Sequence, residues 1–152
     1  MGKKNKGPES LLVTNYLTRI KAFGKPLGFS EIQLVEVDDR KVGSSKGHIT
    51  FIKETLDKKR PNIKVVALDS KGQLFSSESF SEVLAKFVNE RVKEIFFLIG
   101  GSNGIPREIL KLSDILISFG RLTYPHLLMR VILLEQIYRA TTIIANHPYH
   151  KS

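Results

Sequence analysis

At 152 residues, with 41% hydrophobic and 26% charged side chains, the chain is long enough for one globular domain with a substantial core and too short for two. It contains no cysteine and no apolar run near the ~20 residues of a membrane span, which argues against disulfides, cysteine-ligated zinc and membrane insertion and predicts a soluble, cytoplasmic protein. The net charge of +9 favours a polyanionic partner, nucleic acid first, although a basic surface that only maintains solubility is the alternative.

The first third of the chain predicts a helix, a strand and a second helix. Residues 9–23 carry apolar side chains at helical spacing, and residues 32–37 form a strand-like apolar run. The polar stretch 38–47 predicts a loop, and the apolar spacing within 49–56 marks a short helix that stops before Pro61. Nothing in this part of the chain suggests catalysis.

The middle of the chain predicts a β-α-β unit with parallel strands. Residues 64–68 form a compact apolar strand, and residues 69–72 follow as a turn. Ser79 and Glu82 have the spacing of a capping box, and the helix after them carries one apolar stripe. Residues 95–99 then supply a uniformly apolar strand, as expected for a strand buried on both faces.

The last third repeats the pattern and ends in a long helix. A glycine turn at 100–104 leads into a helix from about Pro106 to near Ser113, followed by a strand at 115–118. We therefore expect an α/β fold with a mostly parallel sheet flanked by helices. The helix at 126–145 is apolar on more than one face, which predicts packing against a second subunit.

The glycine turn lies where parallel sheets bind ligands, at the carboxyl end of a strand. Its sequence, Gly-Gly-Ser-Asn-Gly, departs from the dinucleotide-binding fingerprint, and the chain has no phosphate-binding P-loop motif. A nicotinamide cofactor is therefore not expected. Glycines that merely permit the turn are the alternative interpretation.

The C-terminal residues concentrate reactive groups: three of the four histidines follow residue 119, and Glu135 is the single acid there. Such a segment suits a polyanionic substrate and proton transfer. His147 and His150 are separated by Pro148 and have no nearby carboxylate in sequence, so we expect no metal. A solvated tail, and packing at a helix start for His126, are the alternatives.

Four motifs occur in one order: Leu98-Ile99-Gly100-Gly101-x-x-Gly104, Leu122-Thr123-Tyr124-Pro125-His126, Glu135-Gln136-Ile137-Tyr138-Arg139-Ala140 and Asn146-His147-Pro148-Tyr149-His150. With them the chain closely resembles the ribosomal RNA large subunit methyltransferase H family over nearly its whole length. The resemblance implies one SPOUT-type domain over residues 1–152 with a C-terminal trefoil knot, acting as a homodimer. It further implies that S-adenosylmethionine is the methyl donor and that N3 of a pseudouridine in large-subunit (23S) ribosomal RNA within the ribosome is the acceptor, with no metal and no membrane.

The resemblance also implies which residues act. Methyl-donor contacts map to three segments, listed here: Leu68, Gly100, and the loop Phe119, Gly120, Arg121, Leu122, Thr123 and Tyr124. The catalytic candidates are Arg139, which positions the base or stabilises its developing negative charge, and Tyr149 and His150, which close over the base. His126 is the candidate proton acceptor.

One departure from the family concerns the N-terminus. Family members usually begin with an apolar strand before a Gly-Lys segment, whereas this chain starts almost directly at the loop, so the first strand is expected to be missing. This departure, with Arg121 in the donor loop, motivates the alternative of a catalytically inactive RNA-binding or ribosome-assembly protein of the same fold.

Overall fold

The computed structural model describes residues 7–29, 31–38 and 45–151. Its elements in chain order are α1 (Pro8–Gly24), β1 (Glu31–Val37), α2 (Ser45–Lys59), β2 (Ile63–Leu74), α3 (Ser77–Asn89), β3 (Glu94–Gly100), α4 (Arg107–Leu110), β4 (Ile115–Ser118) and α5 (His126–Ile144). These elements confirm the order predicted from the sequence, although α4 ends three residues earlier than expected. Most of the predicted 38–47 loop lies outside the described residues.

The strands form a four-stranded sheet in the order β1-β3-β2-β4, and each neighbouring pair is parallel. Leu34, Phe97, Val66 and Ile115 lie side by side in one row across it. The strong apolar character of β3 follows from its position, because a central strand of a parallel sheet is covered on both faces. The predicted α/β class with a parallel sheet is confirmed.

The pairing between β2 and β4 contains an irregularity. Leu68 and Gln73 both lie opposite Ile117, so residues 69–72 are inserted between them, and the Lys71 backbone N–H donates to Asp69 Oδ1 at 2.8 Å. The predicted turn at 69–72 therefore located the irregularity but missed the continuation of the strand to Leu74. A Cβ on Gly72 would lie 2.7 Å from the carbonyl carbon of Ile117, so only glycine fits this close approach.

The described residues cluster into two compact units. The sheet unit comprises those within Ser30–Phe75 and Phe87–Leu122, and the helical unit those within Met1–Phe29, Ser76–Lys86 and Thr123–Ser152. The core of the sheet unit combines apolar side chains from α2, α4 and the strands, including Val37, Leu56, Val65, Leu98 and Ile109. The single domain expected from the sequence stays a prediction.

In the helical unit α1 packs against α5, and α3 begins with a reciprocal cap. Ser76 Oγ accepts from the Ser79 backbone N–H at 3.0 Å, and Ser79 Oγ accepts from the Ser76 N–H at 2.9 Å. The capping box predicted from Ser79 to Glu82 is therefore wrong. The cap is Ser76, three residues earlier, and Ser79 is the third helical residue.

Much of α5 is buried within the chain itself, which accounts for its apolar residues on several faces: Val131, Leu133, Leu134, Ile137, Tyr138 and Ala140 are all buried. The apolar pattern therefore does not by itself require a second subunit. Leu11 on α1 and Leu128 on α5 remain 73% and 40% exposed. The dimer stays a prediction, and these leucines are the apolar surface that a second copy would cover.

Candidate active site

In the sheet unit, three candidate donor segments end at the same edge of the sheet. Leu68 lies opposite Ile117 near the end of β4, and Gly100 is the last residue of β3. Phe119 follows β4 directly. Because parallel strands run in one direction, their carboxyl ends share an edge, which is where open α/β sheets bind ligands.

The glycine turn after β3 is closed by backbone contacts. The Gly101 N–H donates to the carbonyl of Val37 at 3.0 Å, and the Gly104 N–H donates to the carbonyl of Gly101 at 3.0 Å. A Cβ on Gly100 would lie 2.7 Å from the carbonyl carbon of Gly104. Gly100 is therefore required by the turn itself, so the structural interpretation of these glycines applies at this position.

The loop after β4 has an open glycine. The Gly120 N–H donates to Ser118 Oγ at 3.1 Å, and Gly120 has φ 101° with no atom within 4 Å of where its Cβ would stand. A side chain here would be strained and would fill the space beside the strand ends. Arg121 and Leu122 are exposed next to it. This segment leaves room for a ligand to approach the backbone.

Thr123 and Tyr124, the remaining residues of the candidate donor loop, belong to the helical unit. Thr123 is exposed and Tyr124 is partly buried.

In the helical unit, the structure brings three of the four candidate catalytic residues together around Glu135. Arg139, one turn further along α5, donates from Nη2 to Glu135 Oε1. The Tyr149 hydroxyl donates to the same oxygen at 3.2 Å, and the Arg139 guanidinium lies 5.1 Å from the centre of the Tyr149 ring. The carboxylate raises the pKa of Arg139, so this residue is a fixed cation.

His150 bridges Arg139 to a second carboxylate. Its Nδ1 lies 3.2 Å from Arg139 Nη1, and its Nε2 lies 2.9 Å from Glu78 Oε1 in α3. A guanidinium can only donate, so Nδ1 accepts, and Nε2 carries the proton that is donated to Glu78. The side chain of His150 is only 15% exposed. The C-terminal tail, residues 145–151, is therefore packed at His150 against the rest of the helical unit instead of being solvated there.

Aromatic rings of α1 and α5 pack against the C-terminal tail. The Tyr138 ring lies 4.8 Å from Tyr149, and Phe23 of α1 lies 4.9 Å from His147 in an edge-to-face contact. Tyr16 of α1 adds a ring 6.1 Å from Tyr138. Such pairs contribute about 0.5–1.5 kcal/mol each beyond burial, so α1 and α5 together hold the tail.

His147 thus packs on a ring instead of joining His150 as a metal ligand. Across residues 7–29, 31–38 and 45–151, no three His, Cys, Asp or Glu side chains group as a metal site. Within these ranges, no helix has the length and apolar character needed to cross a membrane.

The environment of Tyr149 decides its protonation. Burial, followed by the negative charge of Glu135, raises the pKa of its hydroxyl to about 12. At neutral pH Tyr149 is therefore a neutral phenol that donates a hydrogen bond, and it is unsuited to take a proton from a substrate. Packing or stacking is the role its geometry favours.

We expect Tyr149→Phe to flatten the alkaline loss of stability. The folded pKa of Tyr149 lies above the ordinary value of about 10, so its contribution is complete below about pH 10 and is lost as the pH rises toward 12. Between about pH 8 and about pH 11 the wild type should lose about 1 kcal/mol more than the variant. Urea unfolding at both pH values measures this difference, and equal losses in the two proteins would contradict it.

His126 is separated from this cluster. It is the first residue of α5 and is exposed, thirteen residues before Arg139. At 1.5 Å per residue the two backbone positions are roughly 20 Å apart along the helix. One chain therefore does not bring His126 and Arg139 to the same base.

Two acidic residues of the cluster were missed by the sequence analysis as functional groups. Glu135 lies in a motif that was noticed, one turn before Arg139, and that spacing was an available signal. Glu78 follows the Ser76-Ser77 pair but stands 72 residues from His150. No local pattern reveals such a long-range pair.

The chain matches the sequence model of a family described as "Predicted SPOUT methyltransferase" over residues 1–150. It is 38% identical to "Ribosomal RNA large subunit methyltransferase H" of Cereibacter sphaeroides over 99% of this chain and 95% of the relative. It is 39% identical to the protein of the same name from Methylocella silvestris, with the same coverage. Among solved structures, a TrmH/SpoU tRNA modifying enzyme from A. aeolicus is 13% identical with a TM-score of 0.47, covering 97% of this chain and 77% of that one.

The chain therefore belongs to the SPOUT methyltransferase family. Proteins of this family take their methyl group from S-adenosylmethionine, and the residues at the sheet edge fit such a donor. The open side of Gly120 beside the ends of parallel strands leaves the backbone accessible, as a bound nucleoside requires. Within this family, the chain is 38–39% identical to two curated relatives over nearly the full length of both chains. It therefore belongs with the ribosomal RNA large subunit methyltransferase H proteins.

Proposed function

We propose that this protein transfers a methyl group from S-adenosylmethionine to N3 of a pseudouridine in large-subunit (23S) ribosomal RNA. The observation that carries the proposal is the cluster of Arg139, Tyr149 and His150, which groups a cation, a stacking ring and a proton acceptor in one place. The curated relatives with 38–39% identity are named for large-subunit ribosomal RNA methylation. The net charge of +9 suits a ribosomal RNA partner.

N3 of a uracil-like base bears a proton between two carbonyl groups, so methylation at this atom requires that the proton be removed. The resulting negative charge spreads onto the carbonyl oxygens. Arg139 is a permanent cation with several N–H donors, and we assign it to stabilise this charge. When bound, the donor supplies an electrophilic methyl group on a sulfonium and leaves as a neutral thioether.

His150 is the group in the cluster that can take the N3 proton. Its Nδ1 has a lone pair that accepts from Arg139, while its Nε2–H is held by Glu78. When Arg139 turns from His150 to a carbonyl of the base, Nδ1 becomes available to the N3 proton. Tyr149 cannot take that proton because its hydroxyl, with a pKa raised to about 12, is already protonated at neutral pH, so we assign its ring to close over the base instead.

His126, the proton acceptor that the family resemblance implies, can reach the same base as Arg139 only in a homodimer. Since it starts the helix whose far end bears Arg139, a second protomer has to supply it if both contact one base. Leu11 and Leu128 provide exposed apolar surface in the helical unit for such a partner. Sedimentation of the wild type should give twice the mass of the 17.2 kDa chain.

For the methyl donor we propose contacts with Leu68, Gly100, Phe119, Gly120, Arg121 and Leu122 at the sheet edge, together with Thr123 and Tyr124. The C-terminal trefoil knot implied by the family resemblance would belong to this region. Since the proposed substrate is the ribosome, we also propose that the protein acts in the cytoplasm. A non-catalytic role is not favoured, because the chain carries an assembled cluster of acid, base and cation.

The decisive experiment combines methyl transfer with donor binding. Ribosomes that lack the modification are incubated with labelled S-adenosylmethionine, and the nucleosides of 23S RNA are separated and weighed by mass spectrometry. We expect one methyl group on a pseudouridine N3. Donor binding by calorimetry without any transfer to ribosomes or free RNA would overturn the proposal.

A further inference from the structure

A carboxylate outside the predicted site holds one of its histidines. Glu78 lies in the first turn of α3, and its Oε1 is 2.9 Å from His150 Nε2 although 72 residues separate the two in sequence. The hydrogen bond from His150 lowers the pKa of the Glu78 carboxyl. Its side chain is 52% exposed, so burial does not hold it in this position.

We propose that Glu78 is a positioning residue for methyl transfer, which holds the His150 imidazole with the proton on Nε2 and the lone pair of Nδ1 directed toward Arg139. This inference rests on the proposed function. It adds a residue that acts through His150 and does not itself touch the base. Carboxylates that accept from one nitrogen of an imidazole commonly fix the tautomer and orientation of the other.

The arrangement around Glu78 favours this role over a purely local one. Ser76 and Ser79 satisfy each other's backbone N–H groups at the start of α3. The Glu78 carboxylate also interacts with its own backbone N–H and with Ser76, but its largest interaction is the hydrogen bond from His150. A carboxylate in the first turn also interacts favourably with the helix dipole, but this effect is independent of His150.

Glu78 is also the first member of a chain of hydrogen bonds that continues through His150 and Arg139 to Glu135. The Glu78 carboxylate accepts from His150, His150 accepts from Arg139, and Arg139 donates to Glu135. If the proton moved to Nδ1, two donors would face each other between His150 and Arg139. The orientation set by Glu78 therefore also maintains the contact between His150 and Arg139, beside the contact that Arg139 makes with Glu135.

Glu78→Ala should separate turnover from binding. We expect kcat to fall about 10- to 100-fold, the range found for groups that orient a functional histidine, with an unchanged dissociation constant for S-adenosylmethionine. Glu78→Gln retains an oxygen that accepts from Nε2–H and should restore most of kcat. Glu82→Ala, an exposed acid one turn later on the same helix, is the matched control and should have wild-type kcat.

A second measurement does not depend on activity. The ring nitrogen shifts of ¹⁵N-labelled histidine report the tautomer, and His150→Gln identifies the signals. Wild type and Glu78→Gln should show His150 protonated at Nε2, and Glu78→Ala should show a mixture of tautomers.

An unchanged His150 tautomer in Glu78→Ala, or wild-type kcat in that variant, would overturn the inference. If the wild type itself transfers no methyl group, the proposed function fails, and the nitrogen shifts still decide whether Glu78 orients His150.

Discussion

Replacing Arg139 with lysine is expected to lower kcat about 100-fold or more while leaving the affinity for S-adenosylmethionine unchanged. Loss of one preorganised donor to a developing anion typically costs about 10²–10³ in kcat. Lysine keeps the positive charge but not the planar set of donors. It therefore cannot serve Glu135 and His150 from two nitrogens at once, as Arg139 does.

Stability has to be measured beside activity for this variant. Glu135 is partly buried and accepts from both Arg139 and Tyr149, so removing the charge altogether would leave a carboxylate short of its cation. For this reason lysine is the informative substitution and alanine is not. Thermal melting should show that Arg139→Lys remains folded at the assay temperature.

Arg130→Lys is the matched control, since Arg130 lies nine residues earlier on α5 and is also partly buried. It should retain near wild-type kcat. Equal, small losses in the two variants would show that Arg139 contributes only to general RNA attraction.

The strands of the sheet were largely predictable because they coincide with short apolar runs in the sequence. Residues 64–68 and 95–99 are apolar without alternation, which indicates strands covered on both faces, and the glycines after them indicate turns. The strand order was not predictable. β3 lies between β1 and β2 through pairings such as Leu34 with Phe97 and Phe97 with Val66, and such contacts between distant segments leave no local pattern.

The candidate site was predictable only in part, and for a similar reason. Arg139, Tyr149 and His150 were identified from motifs near the C-terminus, and they do lie together. The acids that arrange them were not identified. Glu78 comes from a different helix, and its importance depends on the fold of the tail onto α3. His126 lies outside this cluster within one chain, since proximity in sequence to a motif did not place it near Arg139.

Gly100→Ala should have the second large effect, on the donor side of the site. The added Cβ would stand 2.7 Å from the carbonyl carbon of Gly104 and 2.9 Å from the nitrogen of Ile105, both of them backbone atoms that cannot rotate away. The turn after β3 has to open. We expect a loss of about 1–3 kcal/mol in unfolding free energy, as for other overpacked sites, and at least a tenfold weaker binding of S-adenosylmethionine by calorimetry.

Gly28→Ala separates the two consequences. Gly28 lies after α1 in the helical unit with φ 71° and no atom within 4 Å of its Cβ direction, so alanine there is strained without a clash and should cost about 1 kcal/mol. Donor affinity should be unchanged in that variant. If Gly100→Ala lost stability but bound the donor as tightly as Gly28→Ala, the glycine turn would be a structural element only. The donor would then have to be held by the other strand ends, at Leu68 and the open backbone of Gly120.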